Sequence, residues 1–145
     1  MDQIVGYFLE NLSVGMSESI IKTITEVDIV MFAQVSGDTN PVHLDEDYAA
    51  ASPFKTRIAH GMLAGSLFSA VLGTKFPGPG TIYLSQNLKF KAPVRIGETV
   101  EARVTVAEIN ESKKRIHLEC ICSVGETIVI EGDAVVMVSS KASHQ

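Results

Sequence analysis

The sequence predicts an α+β layer fold, a long apolar helix wrapped by a curved antiparallel sheet. Three observations carry this. The run from Gly61 to Gly73 holds Met62, Leu63, Leu67, Phe68, Val71 and Leu72 and leaves little solvent face, so other structure must enclose it. Downstream, four segments alternate apolar and polar residues with period two, as in an antiparallel sheet with one buried face. Finally, 145 residues with 46% hydrophobic and 20% charged content form one domain, residues 1–145, able to bury a sizeable core.

Each element has its own signal. Glu18 to Thr25 is β-branched and reads as a first strand. Thr25 is a good N-cap and Asp28 stands at the N3 position, so a capping box opens a helix that continues to about Val35 and stops at Gly37. Asn40-Pro41 then forces the chain extended after Asp38. A second short helix is expected from Asp45 to Ala51, with Asp45 as N-cap and Pro53 beyond its end.

In the apolar helix, Gly61, Gly65 and Ser69 recur at i+4 and share one side. Close helix–sheet packing and close approach of a ligand explain such a stripe about equally well. Phe76-Pro77-Gly78-Pro79-Gly80 breaks the chain. Then come the strands. Ile82, Leu84, Leu88 and Phe90 alternate with Tyr83, Ser85, Asn87 and Lys89, and Val100, Ala102, Val104 and Val106 alternate with Glu101, Arg103 and Thr105. Lys114–Ser123 and Thr127–Val138 follow, joined through Val124-Gly125-Glu126, and Ser139–Gln145 is expected to fray. Pairing exposed edge strands across a two-fold would cover them, so a homodimer is expected.

Composition narrows the partners. A net charge of −5 argues against nucleic acid. No apolar run approaches the roughly 20 residues that span a bilayer. Met1-Asp2-Gln3-Ile4 lacks a basic leader region, so a cytoplasmic location is expected. Between Tyr48 and Gly97 there is no Asp or Glu, while Lys55, Arg57, Lys75, Lys89, Lys91 and Arg95 give +6 and leave −11 on the remainder. A core-rich segment avoids carboxylates anyway, but cations without them also suit an anionic, phosphate-bearing ligand. Cys120 and Cys122 share an apolar strand face with Ile116 and Leu118 and read as buried reduced thiols, with no second pair to build a zinc site.

One motif carries chemistry. Ser36-Gly37-Asp38-Thr39-Asn40-Pro41-Val42-His43 holds a carboxylate and an imidazole five residues apart on a stiff turn. Such a pair can do general acid–base work, one group taking a proton as the other gives one. Read alone it is equally a helix stop, a turn aspartate and a histidine bonded to a backbone carbonyl.

From about Glu18 to Val138 the chain resembles the MaoC-like, or (R)-specific enoyl-CoA hydratase, group of hot-dog-fold proteins. The resemblance rests on Phe32-Ala33-Gln34-Val35-Ser36-Gly37-Asp38-Thr39-Asn40-Pro41-Val42-His43, on His60-Gly61-Met62, on Ser66-Leu67-Phe68-Ser69, and on Tyr83-Leu84-Ser85-Gln86-Asn87-Leu88-Lys89-Phe90. It implies a single hot-dog domain with an overhanging helical segment that carries the catalytic motif. It further implies that Asp38 and His43 activate water for syn addition to a trans-2-enoyl-CoA, giving an (R)-3-hydroxyacyl-CoA. Gly61 would offer its backbone N–H to the thioester oxygen, with Asn40 and Ser69 as polar support; apart from the resemblance, His60 beside Gly61 reads as a structural group orienting the loop rather than a third catalyst. No metal or redox cofactor is implied. Coenzyme A would be the anionic ligand, with Lys89, Lys91 and Arg95 as phosphate contacts and Lys55 and Arg57 as second choices. Polyhydroxyalkanoate supply or another branch of fatty acid metabolism would use the product. The alternatives are a dehydratase acting on carrier-protein thioesters, a hot-dog thioesterase, and a non-catalytic acyl-thioester binding module.

Overall fold

In the computed structural model, which describes residues 4–142, the alternating segments pair into one antiparallel sheet. Its strands are β1 (Ser17–Thr23), β2 (Ile82–Phe90), β3 (Thr99–Asn110), β4 (Arg115–Val124) and β5 (Thr127–Met137), in the spatial order β1-β3-β4-β5-β2. The inward rows are Val100, Ala102, Val104 and Val106 of β3, Ile116, Leu118, Cys120 and Cys122 of β4, and Ala134 and Val136 of β5, all fully buried. Helix α4 (Gly61–Ala70) lies in their curve and adds Leu63, Ala64, Leu67 and Phe68. The α+β layer arrangement expected from the periodicity is therefore the one observed.

The early elements follow their local signals. Helix α1 (Glu26–Ser36) opens with the expected capping box: the Asp28 N–H donates to Thr25 Oγ1 at 3.2 Å, and the Thr25 N–H donates to Asp28 Oδ2 at 2.9 Å. Helix α3 (Glu46–Ala50) is capped by Asp45, whose Oδ1 accepts from the Tyr48 N–H.

Four expectations need correction. The chain after Asp38 does not stay extended beyond Asn40, which sits at φ −52° and ψ 126°. Pro41 then starts a one-turn helix, α2 (Pro41–Leu44). Proline at the first helical position gives up an N–H that has no intrahelical acceptor anyway. The apolar helix does not run evenly to Gly73, because Val71–Lys75 widens into a π-helical stretch. Strand β2 does not bury one face: Ile82, Tyr83, Leu84 and Phe90 are all exposed, because it is an edge and bulges between Tyr83 and Ser85. Ser139–Ala142 is not loose, since the Ser139 carbonyl accepts from the Leu9 N–H, and Glu10 accepts from Ser140 and Lys141. The rest of the expected frayed tail, residues 143–145, lies outside the described residues.

Candidate active site

The motif is a chain of small hydrogen-bonded turns. Gly37 ends α1 in the left-handed region at φ 80°, and its N–H donates to the Ala33 carbonyl at 2.9 Å. Ser36 Oγ donates to the Phe32 carbonyl and accepts from the Asp38 N–H at 3.1 Å. Asp38 Oδ1 accepts from the Asn40 N–H at 3.2 Å, and Asn40 Oδ1 accepts from the Val42 N–H at 3.1 Å, capping α2. Asn40 thus shapes the turn that leads to His43, the third residue of α2.

His43 is held at both ends. Its Nδ1–H donates to the Ile58 carbonyl at 2.7 Å, which leaves Nε2 as the acceptor of the neutral ring. Its own carbonyl accepts from Arg57 Nε at 2.7 Å, while Arg57 Nη1 donates to Glu26 Oε1 at 2.7 Å. Burial is the largest influence on the imidazole and pushes its pKa below the ordinary value; the Ile58 bond opposes this, and His60 adds to it.

His60 joins the two halves of the motif. Its Nε2–H donates to the Asp38 carbonyl at 2.9 Å, and its ring stacks on that of His43 with centroids 3.9 Å apart. The ring of Phe32 lies against that of His60 with centroids 4.8 Å apart. Asp38, His43 and His60 each bring one ligating atom within 4.8 Å of the others. That spread is looser than the roughly 3–3.5 Å implied by bonds of about 2.0–2.2 Å around zinc.

Asp38, His60 and Gly61 line a cavity of about 650 Å³ whose remaining wall is mostly apolar, including Phe32, Phe54, Ile58, Ala64, Phe90, Val94 and Ile130. Gly61 begins α4, so its N–H has no intrahelical acceptor. A Cβ there would lie 2.7 Å from the Phe90 ring, and one at Gly65 would lie 3.0 Å from Leu88. Close packing of α4 on β2 therefore accounts for both glycines. A bulge between Cys122 and Ser123 buries Val129 beside Ile130, and the Val129 carbonyl accepts from the N–H groups of Lys91 and Ala92 on the cavity wall.

The other expected residues are scattered. Ser69 is exposed on α4 and does not line the cavity. Lys91 does line it and pairs with Glu131 at 3.4 Å. Lys89 is exposed on β2, and Arg95 is partly buried with Nη2 donating to the Phe54 carbonyl at 3.3 Å. Lys55 is exposed at φ 69°. Arg57 is buried and committed to His43 and Glu26, so it is not placed to meet a phosphate. Arg57, Lys75 and Lys91 pair with Glu26, Glu18 and Glu131, carboxylates from outside their stretch. Three of the six cations of that stretch are thereby offset in space by carboxylates distant in sequence. Sequence reasoning missed the clamp by Arg57 and the stacking by His60, and the only hint was the position of His60 next to Gly61.

Known proteins agree with this architecture. The MaoC-like domain profile matches residues 15–127. An (R)-specific enoyl-CoA hydratase of Rhodospirillum rubrum is 53% identical over 140 residues, covering 97% of either chain. A 3-hydroxybutyryl-CoA dehydratase of Methylorubrum extorquens is 52% identical over 134 residues, 92% of this chain and 85% of that one. The unliganded R-hydratase PhaJ1 of Pseudomonas aeruginosa superposes with a TM-score of 0.90 at 41% identity, over 97% of this chain and 90% of that one. A match of this extent, on the helix-in-sheet architecture of the hot-dog fold, makes the chain a member of the MaoC-like domain family.

Proposed function

We propose that this protein is an (R)-specific enoyl-CoA hydratase, a hydro-lyase that reversibly adds water to trans-2-enoyl-CoA. The observation that carries the reading is an apolar cavity lined by Asp38, His60 and the Gly61 start of α4, with the clamped His43 bringing a ring nitrogen within 4.8 Å of the Asp38 carboxylate. The apolar wall suits an acyl chain. One water held by Asp38 and His43 loses a proton to the pair as its oxygen bonds to C3. The alkene π electrons move toward the thioester, whose oxygen takes up negative charge. The Gly61 N–H, at the positive end of a helix, stabilises that charge. The pair then returns a proton to C2 on the same face, so the net change is one water added syn. Both Asp38→base and His43→base assignments satisfy this balance.

No cofactor takes part in this chemistry; coenzyme A enters as part of the substrate. Exposed Lys89, cavity-lining Lys91 and partly buried Arg95 are the proposed phosphate contacts. Asn40 supports the turn, and Ser69 is retained as polar support on α4, outside the cavity wall. A second copy docking on edge strand β2, through exposed Ile82, Leu84 and Phe90, would cover that edge, and we assign a homodimer. Among the described residues no helix is long and apolar enough to cross a membrane, and a cytoplasmic location fits a coenzyme A substrate.

The test follows the ultraviolet absorbance of crotonyl-CoA for wild type and Asp38→Asn, with chiral analysis of the product. Rapid loss giving the (R)-alcohol, abolished in the variant, is the expected result. Turnover on a carrier-protein thioester alone would select the dehydratase alternative. Release of free thiol would select the thioesterase, and binding without turnover the acyl-thioester module.

A further inference from the structure

We propose that His60 is the positioning residue of this site, holding Asp38 and His43 in register and shielding one face of the His43 ring from water. The inference rests on the dyad reading above. Its first support is connectivity. One side chain donates to the backbone of Asp38 at 2.9 Å and stacks on the ring of His43 at 3.9 Å, with an interplanar angle of 29°. The same residue is the N-cap of α4, so its peptide leads directly to the Gly61 N–H. All three proposed functional groups are therefore tied to His60.

The second support is protonation logic. The Asp38 carbonyl can only accept, so His60 Nε2 carries the hydrogen and Nδ1 is a bare acceptor. That Nδ1 is buried without a hydrogen-bond partner, and His60 as a whole is only 2% exposed. The ring stacked on His43 displaces water from one of its faces, which opposes charging of His43. The groups facing His43 are Asp38 from the motif loop, His60 from α4, and Arg57 with Glu26 behind it; Lys91 stands on the cavity wall. Of these, Asp38 favours a proton on His43, while burial and His60 disfavour it.

His60→Ala removes the stack and admits water, so the pKa of His43 rises. Wherever neutral His43 is the active form, the acid limb of kcat/KM then moves to higher pH. The experiment measures crotonyl-CoA hydration between about pH 5 and pH 9 for wild type, His60→Ala, His60→Phe and His60→Gln, with Asp38→Asn in parallel. We expect His60→Ala and His60→Phe to lose about tenfold to a hundredfold in kcat with KM nearly unchanged. His60→Ala should also move the acid limb upward. His60→Gln keeps an N–H for the Asp38 carbonyl and should recover part of kcat while the limb stays displaced. Circular dichroism identifies any variant that does not fold, and the remaining substitutions then carry the test. A rise in KM at constant kcat, or a fall in kcat with the acid limb in its wild-type place, overturns the proposal. Full turnover by Asp38→Asn would instead sink the dyad reading itself. Loss in Asp38→Asn beside unaffected His60 variants sinks only the present one.

Discussion

Arg57 donates from Nε to the His43 carbonyl at 2.7 Å, and the next carbonyl along the chain, that of Ile58, accepts from the His43 ring at the same distance. Two consecutive residues thus fix the backbone and the ring of one imidazole. Ile58 is itself anchored, since it bridges to Arg95 and its N–H donates to the Val42 carbonyl.

Replacing Arg57 tests this clamp. Arg57→Ala deletes a buried charge-assisted bond to His43 and the pairing with Glu26, at a cost of roughly 1.5–3 kcal/mol in stability. Lysine has no planar fork and cannot serve both partners in the same geometry. Both variants should lower kcat about tenfold or more while leaving KM for the CoA thioester near wild type. Urea melts and steady-state kinetics check the two effects separately. A raised KM with weakened salt dependence would return Arg57 to the phosphate contacts.

The burial of His43 also predicts how stability depends on pH. Its folded pKa lies below the ordinary 6.5 because burial disfavours the cation. The folded state therefore binds fewer protons than the unfolded chain at pH values just below 6.5. The contribution of the neutral ring is complete above the unfolded value and declines as pH falls through it. The urea midpoint should drop between about pH 7.5 and pH 5.5, and the drop should be smaller in His43→Gln. An identical drop in the variant would assign it to other groups.

How much of this was legible in the sequence depends on how local each signal is. The Thr25–Asp28 capping box, the Gly37 stop and the Asp45 cap are decided within four residues, and each stands where the sequence puts it. Strands β3 and β4 alternate because both faces meet constant surroundings along their length. Strand β2 carries the same alternation and yet exposes Ile82, Leu84 and Phe90, because its place at the edge is set by topology. The clamp by Arg57 spans 31 residues to Glu26 and 14 to His43, and no periodicity encodes such a reach. His60 had a position in a motif but no visible partner. Its partners become apparent only when the loop and α2 fold back on α4.

Gly61 is the tightest point between α4 and β2. An added Cβ would lie 2.7 Å from two atoms of the Phe90 ring, the side chain of a residue that is 53% exposed. Gly61→Ala should therefore fold at a cost of about 1–3 kcal/mol and push the helix start away from the cavity. The kinetic loss should exceed the stability loss, about tenfold or more in kcat. Phe90→Ala in the same chain should restore the melting temperature. If it restores kcat as well, the clash alone disabled the site.

The two cysteines offer a check on the core. Burial pushes the Cys120 thiol up to about 11 and the Cys122 thiol up to about 12. Both should ignore a thiol reagent near neutral pH and react together once the protein is unfolded in guanidinium. Reaction of either in the native protein would mean that β4 opens locally. Silent thiols also keep the background low when thioester cleavage is assayed by the same reagent.

The three candidate phosphate contacts can be separated by their present partners. Lys89 is exposed, Lys91 pairs with Glu131 at 3.4 Å where both are about half exposed, and Arg95 supports the Phe54 carbonyl. If they meet phosphates of coenzyme A, Lys89→Ala and Lys91→Ala should raise KM severalfold, leave kcat unchanged and flatten the rise of KM with salt. Arg95→Ala should do the same and also lower kcat, because it frees the Phe54 wall of the cavity. Measuring KM at low and high salt for each variant distinguishes these patterns. An unaltered salt dependence in all three would remove the phosphates from this side of the cavity and leave the acyl pocket as the main source of binding.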